Sequence, residues 1–354
     1  MRWLPSLSLL WLALLTALAG AQELPNLTVQ ALAFSDHPEK VHQAGQLYSG
    51  GLSPLKPLRF QYYHLSQMQG SARLSLRIYN PGPGKASLAV IAGAGGPSDD
   101  YFLAGHRNNV RFLTNLVAGY GRPHQIEPGT WLELADHPFP YDGVVSGTAQ
   151  MLQLDGPPLS FGLFALAQPG DPVGLTLQSE ATDVHARGIY PVADQRIERG
   201  YRVGDPALNL AFGAVRQTNL WEKTELRGDY GVLYRIRLHL TNPASQPARL
   251  RIQVNPRGGE ATATFHDGLR LLEVPNTLAH QLALLGEWLV PPGESTLELL
   301  TLPEGASSYP VRLVVTTVSE AATQHFSLGY ATRKGSADEP GNSTREPDLR
   351  SVTW

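Results

Sequence analysis

Two stretches of the chain share one pattern of apolar and polar positions. In 74–79, apolar and polar residues alternate and the turn Asn80-Pro81 follows; in 236–241 the same alternation is followed by Asn242-Pro243. The offset is 162 positions at the start of the strand (236 − 74) and at the turn (243 − 81). Because alternation with a period of two is typical of a strand with one buried face, each stretch predicts the first strand of an antiparallel pair.

The repeat extends beyond these turns. Pro128-Gly129 and Pro292-Gly293 each precede a Leu-Glu-Leu segment, at an offset of 164 positions (292 − 128). One-faced antiparallel sheets have to bury their apolar sides against another sheet. We therefore expect an all-β protein with two tandem antiparallel β-sandwich (Ig-like) domains from an internal duplication, at 22–168 and 207–320, joined by a crossover at 169–206.

The remaining strands follow from further apolar segments between turn residues. In the first domain we expect them at 58–65, 130–135, 143–154 and 159–167, and in the second at 208–215, 280–290, 295–301 and 311–318. One segment departs from the repeat, because its apolar residues are spaced three and four apart. It predicts a helix near 103–118, inserted in the first domain, and we expect that helix to cap an open end of the sandwich.

The two ends of the chain differ in composition from the rest. Residues 1–21 combine a basic start, an apolar run and a small-residue site, which predicts a cleaved signal peptide and export to the periplasm or cell envelope. No other segment is long and apolar enough to suggest a transmembrane span. Residues 321–354 are polar and rich in turn-forming residues, so a disordered tail is expected there.

Overall composition narrows the possible functions. The chain has no cysteine, which excludes disulfides and thiolate chemistry, and its net charge of −3 gives no reason to expect nucleic acid as a partner. The 35 glycines and 28 prolines suit a β-rich chain with many turns.

Candidate binding residues cluster around a glycine-rich loop before the predicted helix. The loop resembles a phosphate-binding turn, but Asp99 and Asp100 occupy the place where a phosphate would bind, and no lysine of the P-loop kind follows. The adjacent Tyr62 and Tyr63 lie on one strand, so one of them is expected to face outward unless another segment covers it. The candidate binding residues are Gly95, Gly96, Asp99, Asp100, His106, Tyr62 and Tyr63.

A metal site is the second possibility in the same half of the chain. The tripeptide Asp136-His137-Pro138 repeats one at 36–38, and with His106 it supplies two imidazoles and a carboxylate. No spacing of a known zinc or calcium motif is present, and Asp-His-Pro is also an ordinary turn. We predict His106, Asp136 and His137 as metal-ligand candidates, a bound metal as possible, no other cofactor and no catalytic residues.

Several phrases resemble families of exported bacterial proteins that have tandem β-sandwich domains and no assigned activity. They are the runs 228–235, 241–243 and 255–259 of the second half, and 94–99 with Gly105-His106 of the first half. The resemblance implies a location at the cell surface or envelope and supplies no active site.

The sequence thus favours a non-enzymatic envelope or surface protein that acts as a structural or binding module. Its expected partner is an envelope or surface-layer protein or a polysaccharide, and its oligomeric state is left open. One alternative is an exported metal-dependent or glycan-active enzyme with its site around 93–106 and 136–137. A second alternative is a carbohydrate-binding module with exposed aromatic side chains.

Overall fold

The computed structural model describes residues 28–29, 31–119, 121–171, 176–221 and 224–318. The signal peptide expected at 1–21 and the tail expected at 321–354 lie outside these residues. The described residues form one α-helix, α1 (Tyr101–Val117), and these strands: β1 Ala31–Ser35, β2 Lys40–Val41, β3 Gly45–Leu52, β4 Leu58–Ser66, β5 Arg73–Tyr79, β6 Ala86–Ser98, β7 Arg122–Ile126, β8 Trp131–Pro138, β9 Val144–Asp155, β10 Leu159–Leu166, β11 Arg187–Tyr190, β12 Asp194–Arg202, β13 Leu208–Phe212, β14 Arg216–Thr218, β15 Glu225–Arg227, β16 Leu233–Asn242, β17 Ala248–Pro256, β18 Ala261–His266, β19 Leu271–Thr277, β20 Ala283–Val290, β21 Gly293–Thr301 and β22 Val311–Thr317. The expectation of a mostly β protein is confirmed.

The strands form four main sheets that pack in two pairs. In the first half, a seven-stranded sheet (β11-β1-β4-β9-β6-β7, with β2 beside β4) shares a hydrophobic core with a four-stranded sheet (β3-β10-β5-β8). In the second half, a five-stranded sheet (β12-β16-β21-β18-β19) shares a core with a four-stranded sheet (β13-β22-β17-β20). Strands β14 and β15 form a separate two-stranded sheet, and Leu226 of β15 packs into the core of the second half.

The two predicted Asn-Pro turns have the same hydrogen bonds. The Nδ2 of Asn80 donates to the carbonyl of Ile126 at 2.9 Å, and the Nδ2 of Asn242 donates to the carbonyl of Val290 at 3.0 Å. Both asparagines are buried, so the bonds satisfy amide groups that would otherwise be costly to remove from water. In both cases the turn carries the chain from one sheet of a pair to the other. The strands on the two sides of each turn therefore do not pair with each other, and the expected antiparallel pairs are wrong.

The strands expected from the sequence all occur, with ends shifted by a few residues. The segment 280–290, whose leucine spacing also fits a helix, is strand β20 over Ala283–Val290. The expected crossover 169–206 contains two strands, because β11 pairs with β1 of the first half and β12 runs parallel to β16 of the second. The sequence reasoning had not placed these two strands.

Helix α1 forms as expected but packs elsewhere than predicted. Instead of capping an open end, it lies across β6 and β9 on the outer face of the seven-stranded sheet and also contacts β18 of the second half. Its buried Phe112 and Leu116 share a small hydrophobic cluster with Leu300 and Leu302. The helix approaches so closely because β6 presents Gly95 beneath it, where an added Cβ would overlap the carbonyl of Ala104.

Strand β4 is buried along its whole length, so both of its faces are covered. One face points into the core shared with the four-stranded sheet, and the other is covered by α1 and the second half. Arg59 lies on the covered outer face with no solvent exposure. Its guanidinium pairs with Asp194 at 2.9 Å, donates to the carbonyl of Ala193, and lies 5.9 Å from the ring centroid of Phe112.

No helix among the described residues is long and apolar enough to cross a membrane.

The close contact between α1 and the second half predicts a specific sensitivity at Gly105. A Cβ at this position would overlap the backbone carbonyl of Gly305, which cannot rotate away as a side chain could. Gly105→Ala should therefore lower the free energy of unfolding by about 1–3 kcal/mol, in spite of the better helix propensity of alanine. Urea denaturation measures this change.

Gly51→Ala is the matched control, since the nearest atom to its added Cβ is the carbonyl oxygen of Leu159 at 3.8 Å, an ordinary contact distance. Equal stability of both variants would contradict the described packing of α1 against the second half.

Candidate functional site

A cleft of about 680 Å³ opens in the first half, where α1 overhangs the edge of the two packed sheets. Its inner wall is apolar and consists of side chains that also belong to the core, among them Leu76, Val90 and Ala149. Its volume lies within the range of about 300–1,000 Å³ that is usual for small-molecule sites. The cleft borders Gly93 and Gly121, which lie on either side of α1, and its lining also includes Leu76 and Glu133 of the repeated stretches.

The rim of the cleft is polar and carries more positive than negative charge. Helix α1 supplies Arg111, strand β7 supplies Arg122 and His124, and strand β8 supplies Glu133. The Glu133 carboxylate is paired with the guanidinium of Arg77 at 3.2 Å, so its charge is largely compensated. Burial and the nearby charge of Arg122 lower the pKa of His124 below its usual value, which leaves this imidazole neutral at pH 7.

Tyr62 and His137 meet at the inner end of the cleft. The Tyr62 hydroxyl and His137 Nε2 are 2.9 Å apart, and both side chains line the cavity. Burial lowers the pKa of His137 to about 4, more than the charge of Asp136 raises it. The imidazole is therefore neutral at pH 7, and its Nε2 shares a hydrogen bond with the tyrosine hydroxyl. This pair is the part of the predicted site that the structure brings together.

The glycine-rich loop has a packing role. Gly95 lies under α1, and Gly96 has a φ of 97° with an added Cβ overlapping the carbonyl of Val144. Asp100 caps the helix, since its carboxylate accepts from the N–H of Leu103 at 3.1 Å, and Asp99 is exposed beside it. These contacts give Gly95, Gly96 and Asp100 structural roles.

His106 lies at the contact between the two halves. Its Nδ1 is 3.1 Å from a carboxylate oxygen of Glu304 and its Nε2 is 2.8 Å from Glu273. Burial alone lowers the pKa of His106, but hydrogen bonds and charge interactions with both glutamates outweigh it and raise the pKa to about 9. Glu304 has no solvent exposure and also accepts a hydrogen bond from Thr264 at 2.6 Å.

The three metal-ligand candidates do not converge. His106 is held between two glutamates on opposite sides of its ring, while Asp136 is bound by Arg73 at 2.7 Å and His137 faces Tyr62. Across the described ranges, no group of three or more histidine, aspartate and glutamate side chains is arranged to hold a metal ion. The expected grouping of these residues at one site is therefore wrong.

Tyr63 is buried, because the second half covers the face of β4 to which it points. An added Cβ on Gly305 would touch its ring.

The rim residues of the cleft were not predicted from the sequence. A usable signal was present, since Arg111 and Asn115 are four apart and lie on the polar side of the predicted helix. Tyr79 and the partly exposed Trp131 stack with ring centroids 4.8 Å apart at the end of β5 and β8.

No family model matches the chain, and a search of curated proteins finds no match. Among solved structures the chain is similar to Lac15 from a marine microbial metagenome, at 10% identity over 80% of this chain and 61% of that chain, with a TM-score of 0.18. It is also similar to the PBSX exported protein XepA (10% identity, 77% and 86% covered, TM-score 0.16) and to the tandem CBM22 domains of Paenibacillus barcinonensis Xyn10C (10%, 71% and 80%, TM-score 0.15). TM-scores this low carry no argument about fold or function.

The His106 contacts predict a pH dependence of stability. The pKa of His106 rises from about 6.5 in the unfolded chain to about 9 in the folded protein. The stability that this shift adds is fully present below pH 6.5 and is lost as the pH rises through 9. His106→Gln should lower the free energy of unfolding by about 1–2 kcal/mol at pH 6, since partial exposure screens these charges, and the difference from the wild type should shrink by pH 10. Urea denaturation from pH 6 to pH 10 measures it.

His42→Gln, which replaces an exposed histidine outside this cluster, serves as control and should show no such trend. A constant difference between His106→Gln and the wild type over the whole pH range would rule out a charged His106.

Proposed function

We propose that the protein is an exported, non-enzymatic module of the cell envelope or surface and that it binds a glycan of the envelope in the cleft beside α1. The cleft is the observation that carries this proposal. It combines an apolar wall with a polar rim, in a volume suited to one or two sugar rings. The apolar wall can contact the C–H face of a sugar, and the rim can bind its polar groups.

We also infer that the two pairs of sheets are β-sandwich domains descended from one duplicated unit. Matching strand pairs support this inference: Ala86 pairs with Ile126 in the first half, and Ala248 pairs with Val290 in the second. The positions differ by 162 and 164, the same offsets that relate the two sequence stretches. Among the described residues, α1 and the cleft beside it belong to the first copy, so binding is assigned to the first half.

Export rests on the composition of residues 1–21. We expect the mature protein to co-sediment with isolated cell envelope and to stay bound after dilution and mild washing. Cell fractionation followed by immunodetection tests this. Recovery from the culture supernatant alone would contradict an envelope location, and turnover in a broad panel of glycan and ester substrates would contradict a non-enzymatic role.

The cleft itself is tested by filling it. Thr114 is exposed on the side of α1 that lines the cavity, so Thr114→Trp should occupy the cleft without disturbing the core. Binding to isolated envelope polysaccharide should fall about tenfold or more, because the ligand and the indole compete for one space. A pull-down titration measures the binding.

Ala118→Trp provides the control, since Ala118 is exposed directly after the last residue of the same helix and does not line the cavity. Unchanged binding by Thr114→Trp, with both variants folded, would show that the cleft is not the binding site.

A further inference from the structure

We propose that the ligand of the cleft is an anionic sugar, one that carries a carboxylate or a phosphate group. This inference rests on the proposed function, because it names the chemical class of the glycan that the same cleft would bind. Three features of the cleft lead to it: an open strand edge, an excess of positive charge at the rim and an apolar wall.

The first feature is the edge of β6 that borders the cleft. Strand β7 pairs with β6 only from Ala86 to Val90, whereas β9 continues along the other side of β6 as far as Ser98. Beyond Val90, no strand formed by the described residues lies beside this edge of β6. Both Ala92 and Ala94 line the cleft at this edge.

Side chains of α1 satisfy the carbonyl groups of this edge. Asn115 donates to the carbonyl of Ala92 at 2.8 Å, and Arg111 donates to the carbonyl of Ala94 at 2.7 Å. Because a residue in a strand directs its N–H and C=O to the same side, the N–H groups of Ala92 and Ala94 also point to this edge. Because α1 already binds the carbonyl groups of this edge, the groups that remain for a ligand are N–H donors.

The second feature is the charge of the rim. Among the described residues, Arg122 makes no salt bridge, while the one acidic side chain that lines the cleft, Glu133, is paired with Arg77. The positive charge of Arg122 is thus not compensated within the cleft. A guanidinium binds carboxylate and phosphate groups through two parallel hydrogen bonds, which neutral hydroxyls cannot match in strength.

The third feature is the wall opposite the rim, where Leu76 and Val90 present aliphatic surface. An inorganic anion would leave this surface exposed to water, whereas a sugar ring would cover it with its C–H face. A ligand with an anionic group and an apolar face therefore fits the cleft better than either a free anion or a neutral sugar.

Competition experiments with the full-length protein test this class. Glucuronate, glucose 6-phosphate and glucose share one ring and differ in charge, so each is titrated against the protein bound to envelope polysaccharide. One or both of the anionic sugars should displace the protein at about a tenth or less of the concentration that glucose requires. Preference for glucuronate or for glucose 6-phosphate identifies the anionic group.

Arg122→Gln should remove most of this preference, with about a tenfold loss of affinity for the anionic sugar. The control is Arg107→Gln, which removes an exposed arginine of α1 that does not line the cleft, and it should bind as the wild type does. Equal competition by all three sugars, competition by none, or equal binding by both arginine variants would overturn the inference.

These outcomes are distinct from failure of the proposed function. If Thr114→Trp abolishes polysaccharide binding but the three sugars compete equally, the cleft is a glycan site of another specificity. If Thr114→Trp leaves polysaccharide binding unchanged, the cleft is not the site, and both proposals fail.

Discussion

The fully buried guanidinium of Arg59 is the interaction on which the rest of the structure depends. It lies on the outer face of the seven-stranded sheet, where a β-sandwich normally meets water. A charge in this position is tolerable only because Asp194, backbone carbonyls of the second half and the ring of Phe112 surround it. The first half therefore needs both α1 and the second half to cover this face.

This requirement explains the position of α1 and, through it, the cleft. The helix has to lie flat on β6 and β9 to complete the cover of the sheet, and Gly95 allows it to come close. In that position its inner side chains pack against the second half, while Arg111 and Asn115 reach over the edge of β6. The cleft exists because strand β7 pairs with β6 only as far as Val90 and the helix covers the space beyond that residue.

Local patterns in the sequence predicted many of the strands, the helix and the two Asn-Pro turns, because burial of one strand or helix face leaves a periodic signature. The placement of α1 could not be predicted in this way. It depends on Gly95 and Gly105, whose lack of a side chain has meaning only once the opposing backbone is known. His106 was predicted as a binding residue and metal ligand, whereas the structure pairs it with Glu304. That partner lies 198 positions away, and no local pattern connects the two residues. The contact between Tyr62 and His137 could not be predicted either. The two residues lie on different sheets, and their contact depends on how the sheets pack, which spacing in the sequence does not show.

The two halves should unfold as one cooperative unit, since residues of β1 and β11 share a core with the second half and His106 joins α1 to Glu304. Native-state hydrogen exchange in increasing urea tests this most directly. Amides of β4 and of β16 should exchange through openings of the same free energy and the same urea dependence. Separate free energies and slopes for the two strands would mean that each half unfolds alone, and would contradict the dependence of the first half on the second.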